Sequence, residues 1–389
     1  MAARGEIALV MSGGGARAAY QVGFLRALAR RMPDFAPPIL TGVSAGAINA
    51  AYLAGRAGSF AATVKSLTEL WRTLTVDQVF HVDALRLLGR VIRTGAKLSA
   101  GGAIKERRPY SLVDTRPLRR FLDIALHGDD GALPGIAQNI AMGRLRALAI
   151  TASSYSTGQS VTFVQGREAP TWERADRKSV PTALRVEHVM ASSALPLFFP
   201  AIAVDGQYYG DGGIRLTAPL SPAVHLGASR IITISTRYAR TREEAAQVVT
   251  DGYPPIAQML GVLFNAVFLD LVEADAFVLE RINEMIERVP PERRTALRRI
   301  ELLQLRPSRD LGKLASEFEA EMPGAFRYFT RGLGTKQTRS NDVLSMVMFQ
   351  PNYLSRLIEL GEADAEARAA EIEAFVADDA VQRIVPFGV

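Results

Sequence analysis

The chain has no cysteine, which removes disulfides, thiolate zinc sites and thiol nucleophiles at once. The redox compartment stays open, because a protein without thiols fits either side of a membrane. Histidine is nearly as scarce: His81, His127, His188 and His225 are too scattered to outline a metal site, and no metal or other cofactor is expected. The N-terminus, MAARGEIALVMSGGG, has one short apolar run ending in glycines, without the apolar core and small-residue cleavage site of a signal peptide. The longest uncharged stretch, 252–269, approaches a membrane span in length but contains Pro254, Pro255, Gln258, Gly261 and Asn265, and reads as a buried or interfacial helix. The expectation is a cytoplasmic protein whose contact with a membrane, where it occurs, is peripheral.

What is present describes a globular chain. Of 389 residues, 48% are apolar and 22% charged, with Gly and Pro spread along the length, enough for one large core with an appendage. The net charge of +6 favours anionic partners, head groups of phospholipids or nucleic acid, without choosing between them.

Ile7 to Met11 is an apolar run that stops at Gly13, Gly14 and Gly15, and Ala16, Ala19, Tyr20, Phe24, Leu25 and Leu28 follow at helical spacing. The pattern of strand, tight turn and helix recurs at Ile39 to Val43, where Ser44 precedes a segment rich in alanine. Further strands are expected at Leu145 to Thr151, Ser160 to Val164 and Ile231 to Ser235, with a hairpin at Ala203 to Tyr209 turning through Asp205 and Gly206. Beyond about Arg240 the strand signals stop and helical spacing begins at Ile256, Leu260, Leu263, Val267 and Leu271, so a boundary is placed there, between 5–240 and 241–389. The tail from Gly361 reads as a solvated acidic helix.

Three short motifs carry chemistry. Gly42-Val43-Ser44-Ala45-Gly46 has the GXSXG spacing of a nucleophile elbow, in which glycines flank a serine on a crowded strand-to-helix turn. Gly13, Gly14 and Gly15 open a helix and free backbone amides to approach an anionic oxygen. They also fit a dinucleotide loop, Gly13-x-Gly15-x-x-Ala18, but the next strand ends in a serine elbow where an acidic residue would be needed. Arg17 lies in the first turn of that helix, where a cation opposes the dipole; binding an oxyanion or phosphate, or plain solvation, accounts for it. Asp211-Gly212-Gly213 alone is a turn.

Together, SGGGARAAYQVG at Ser12 to Gly23, GVSAG at Gly42 to Gly46 and DGG at Asp211 to Gly213 resemble the patatin-like phospholipase family in kind, order and spacing. MASSALPLFFPAI, from Met190 to Ile202, and APLSPAVHLGASRIITIS, from Ala218 to Ser235, add to the resemblance, which covers about the first 240 residues. It implies a three-layer α/β/α fold with a mainly parallel central sheet, here with a C-terminal helical region. It implies a Ser44–Asp211 dyad, an oxyanion hole at Gly13, Gly14 and Gly15 with Arg17 beside it, and neither catalytic histidine nor metal. Ala18 departs from the family, which commonly has glycine there. The activity implied is hydrolysis of acyl esters of phospholipids or lysophospholipids, with no role for nucleic acid. An acyltransferase built on the same acyl-enzyme and a lipid-binding module without catalysis are the alternatives.

Two segments bear on lipid contact. Between His81 and Tyr110, Arg86, Arg90, Arg93 and Lys97 recur at helical spacing beside Leu85, Leu88, Val91 and Ile92, giving either a helix for an anionic membrane surface or a solvated basic face. The helix from Ile256 to Leu271 is apolar nearly all round and must be covered, by core packing, as a lid over an acyl pocket, or in a homo-oligomer.

Overall fold

The computed structural model describes residues 6–81, 111, 113–196, 198–247, 253–290, 293–294, 297–322, 324, 327 and 341–377. The basic stretch with Arg86, Arg90, Arg93 and Lys97 lies outside them.

Among the described residues, ten strands form one mixed sheet: β1 (Ile7–Met11), β2 (Ile39–Val43), β3 (Ala147–Ser154), β4 (Ser160–Gly166), β5 (Glu173–Arg174), β6 (Arg177–Pro181), β7 (Ile202–Val204), β8 (Gln207–Asp211), β9 (Arg230–Ile234) and β10 (Glu301–Leu305). The order is β10-β9-β1-β2-β3-β4-β6-β5, and the run from β10 to β3 is parallel throughout. Each of β1, β2, β3 and β9 is buried along its whole length, as strands covered on both faces must be, which is why, after Arg230 at the start of β9, they read as apolar or small-residue runs. β7 and β8 form the expected hairpin through Asp205 and Gly206, and β8 pairs antiparallel with the end of β3.

Helices cover both faces. α1 (Ala19–Arg31), α2 (Ala45–Gly55) and α3 (Phe60–Thr73) share one core cluster; α4 (Arg116–Ala125) and α5 (Val186–Ser192) follow. Among the described residues, the C-terminal region holds one strand beside helices that include α6 (Ile256–Phe264), α7 (Leu271–Arg288), α8 (Asp342–Val347) and α9 (Pro351–Ala367).

That strand is a departure from the expected boundary. β10 lies well past residue 240 and pairs in register with β9, so the sheet runs across the division placed there. Its five residues, ELLQL, are too short and too weakly alternating to stand out against the helical spacing around them. The acidic tail also differs from a solvated helix. From Gly361 on, Gly361 and Ala365 of α9, then Ala369 and Ile372, are buried, and Glu362 and Glu366 pair with Arg26, Arg30 and Arg31 of α1. At the crossing, a methyl group on Gly23 would strike the Ile358 carbonyl and one on Gly361 the Tyr20 carbonyl, so the two helices touch backbone to backbone.

Candidate active site

Ser44 stands between β2 and α2 with φ 54° and ψ −132°, a conformation that a residue with a side chain occupies only at a cost of about 1–3 kcal/mol. The surrounding glycines leave no other path. A Cβ on Gly42 would come within 2.6 Å of the Gly46 carbonyl, and one on Gly46 would meet the Met11 carbonyl of β1. The elbow is clamped from α5 and the turn after it: the Ser44 amide donates to Ser192 Oγ (2.9 Å), Ser192 Oγ donates to the Thr151 carbonyl (2.7 Å), and Ser193 Oγ donates to the Ser44 carbonyl (3.0 Å). The Ser44 hydroxyl makes no capping bond to α2, so it is not committed to the backbone it initiates.

Asp211 ends β8 and is fully buried. Its amide donates to the Ala194 carbonyl (2.8 Å), its carbonyl accepts from Ser153 Oγ (2.8 Å), and its Oδ1 accepts the Gly213 amide (2.9 Å). Gly212 and Gly213 form the turn that makes this last contact. Oδ2 is buried without a hydrogen bond of full geometry. Burial pushes the carboxyl up to about 7, while the Ser44 hydroxyl and the Gly213 amide pull it down. A hydroxyl beside a buried carboxyl poised near neutrality is the arrangement in which a proton can pass from one to the other.

The glycine loop lies against the same point. A side chain on Gly13 would be 3.0 Å from Ser44 Cβ, and the Gly13 carbonyl accepts from Thr236 Oγ1 (2.7 Å). A buried polar relay braces the loop, from Trp71 Nε1 to Asn49 Oδ1 (2.8 Å), Asn49 Nδ2 to Gln21 Oε1 (3.0 Å) and Gln21 Nε2 to the Ser12 carbonyl (2.8 Å). Gly15, at φ 58°, packs directly on the Met346 backbone. Gly15→Ala is therefore expected to lower Tm by several degrees and slow labelling of Ser44 by active-site probes, because strain and collision act together. A variant with unchanged Tm and labelling rate would show that the loop tolerates a side chain.

Arg17 goes elsewhere. Its guanidinium is buried against α8, with Nε donating to Ser345 Oγ (2.7 Å) and Nη2 paired with Asp342 Oδ1 (2.6 Å). Asp342 Oδ2 also accepts from Asn265 Nδ2 (2.7 Å). Arg17, expected beside the oxyanion, forms an ion pair with a partner 325 residues away, which no local spacing announces. The chain order Ser44, Asp211, His225 would also suit a triad with His225 as its base. Its ring stacks on Trp172 (4.5 Å, 7°), and burial followed by Arg177 and Arg174 lowers its pKa.

From Ser44 an apolar cavity reaches between Leu70 and Trp71 of α3, Leu74 just past its end, Leu118 and Phe121 of α4, Leu195, Phe199, and Met346, Val347 and Phe349 of the C-terminal region. Its almost wholly apolar lining suits a hydrocarbon. Ser192, Ser193, Asn49 and Thr236 carried no sequence signal of their own beyond the serine pair in MASSALP.

A family profile for patatin-like phospholipases matches residues 9–224, more than half of the chain. The chain belongs to the patatin-like phospholipase family. No curated protein matches it in sequence. Among solved structures, it is similar to VipD from Legionella pneumophila, at 14% identity and a TM-score of 0.42 over 95% of this chain and 67% of that one. Human GIVD cytosolic phospholipase A2, in complex with methyl gamma-linolenyl fluorophosphonate, gives 14% identity and a TM-score of 0.44 over 96% of this chain. This patatin-like chain spans 59% of the human protein's length. Among its described residues, no helix is long and apolar enough to cross a membrane.

Proposed function

We propose that the chain is a serine acyl hydrolase that cleaves fatty acyl esters of phospholipids or lysophospholipids. The observation that carries this reading is the strained, clamped Ser44 set beside a buried Asp211 at one end of an apolar cavity. Ser44 Oγ attacks the ester carbonyl carbon as Asp211 takes its proton, and amides at Gly14 and Gly15 hold the tetrahedral oxyanion. The intermediate collapses to an acyl-enzyme, and the alcohol leaves with the proton returned by Asp211. Water, deprotonated by the same carboxylate, then releases the fatty acid and restores Ser44. Arg17 holds the glycine loop through Asp342 and Ser345 in this scheme, without touching the substrate. The region 5–240 supplies the chemistry, and 241–389 supplies one wall of the acyl cavity.

The test is a fluorophosphonate probe together with a panel of phospholipids and lysophospholipids, with labelling mapped to its residue and released products identified. Labelling at Ser44 and free fatty acid are expected; products transferred only to an added alcohol would mark an acyltransferase instead.

The raised Asp211 carboxyl also sets the pH dependence. A base works when ionised, so kcat/KM for a soluble ester should climb with pH as a single ionisation and level off above about 7. A profile that is flat from about pH 5 to 8 would remove this carboxyl as the base.

A further inference from the structure

The helix α6 presents an apolar face to solvent beside the candidate active site. Tyr253 is 88% exposed, Val262 60%, Leu263 54%, Ile256 53% and Met259 45%. The opposite face is anchored: Leu260, Phe264 and Phe268 pack with Leu195, Phe198, Phe199 and Met346. Leu195, Phe199 and Met346 are also walls of the acyl cavity, so the exposed face and the cavity are two sides of one apolar layer. Phe268 fills the space that a side chain on Gly213 would need, which brings this layer against the turn carrying Asp211. Between them α6 passes into a π-helical turn, Asn265–Leu269, whose Asn265 bonds Asp342.

We infer that α6 docks on the surface of a lipid bilayer and brings the mouth of the acyl cavity to the membrane. This rests on the acyl hydrolase reading above. The chemistry of the face favours hydrocarbon over a second protein surface. The run 252–269 carries no charge, and of its polar side chains Asn265 is already bonded to Asp342, whereas protein interfaces average about one hydrogen bond per 100–200 Å². Exposed aliphatic side chains with a flanking tyrosine are the pattern of a helix lying at the head-group boundary.

The test measures partition of the full chain carrying Ser44→Ala onto vesicles of phosphatidylcholine alone, where basic residues gain nothing. The same chain is compared after Ile256→Ser, Val262→Ser and Leu263→Ser are added together. Because all three side chains are more than half exposed, the fold should hold, and circular dichroism checks it. A loss of partition of roughly a hundredfold is expected, from about fivefold per side chain, because each is only 53–60% exposed to begin with. With Ser44 restored, the triple variant should keep hydrolysis of a short soluble ester and lose hydrolysis of vesicle phospholipid. Partition unchanged by the triple substitution would overturn the proposal, as would a concentration-dependent dimer that the substitution dissolves, which would assign the face to a second copy. Vesicle binding is read without turnover, so an inactive chain would refute the hydrolase reading while still deciding this one.

Discussion

Ser44→Ala should reduce hydrolysis of any acyl ester by about ten thousandfold or more and abolish fluorophosphonate labelling, with no loss of folding. The size of the effect follows from the absence of a substitute. Ser192 and Ser193 are close by, but their hydroxyls are spent on the Thr151 and Ser44 carbonyls and serve to hold the elbow. The fold should survive because the hydroxyl of Ser44 caps nothing. Alanine keeps the Cβ that already tolerates φ 54°, so the strain is the same before and after. Retention of turnover above a few per cent would end the serine mechanism, and loss of Tm along with activity would leave the assignment of the nucleophile open to a purely structural explanation.

Asp211→Asn should abolish hydrolysis and, at the same time, make the protein more stable. Asparagine keeps an oxygen for the Gly213 amide but cannot accept the Ser44 proton, so a fall of about ten thousandfold in kcat is expected. The stability gain comes from linkage. Burial raises the folded pKa from the ordinary 3.8 to about 7, so the wild type holds its full stability below about pH 4 and loses it as pH rises through 7. At pH 8 the buried anion costs at most on the order of 4 kcal/mol, because each tenfold weakening of the acid corresponds to about 1.4 kcal/mol. The variant removes that charge and keeps only the smaller, pH-independent cost of a buried amide, so its Tm relative to the wild type should rise from pH 4 through neutrality. His225→Ala, measured on the same soluble ester, should keep most of kcat, since that ring packs on Trp172. A thousandfold loss in His225→Ala would establish a histidine base and overturn the dyad.

Most of the sheet and the elbow were legible because their causes are local. Fully buried parallel strands must be apolar along their length, and a turn that brings β1, β2 and α2 into backbone contact must be made of glycine, so both leave marks in adjacent residues. What could not be read depends on chain segments hundreds of residues apart. Nothing near Arg17 indicates that Asp342 will claim it, nothing in ELLQL ranks it above the helices around it, and the cavity wall at Met346 to Phe349 is set by how α8 meets the glycine loop. Asp211 was singled out through the family resemblance, and its burial, which raises the carboxyl, belongs to the folded state alone.

The backbone contact between α1 and α9 has a consequence for motion. Packed helices commonly accommodate one another by small sliding displacements of side chain over side chain, but where Gly23 meets the Ile358 carbonyl and Gly361 meets that of Tyr20 there is no side chain to slide over. Shear is blocked along this seam, and ion pairs from Arg26, Arg30 and Arg31 fasten its outer edge. The glycine loop is continuous with α1, so it inherits that immobility. In the hydrolase proposed above, whatever breathing lets a hydrocarbon enter or leave would then be borne by the walls on the far side of Ser44, with the glycine loop held fixed.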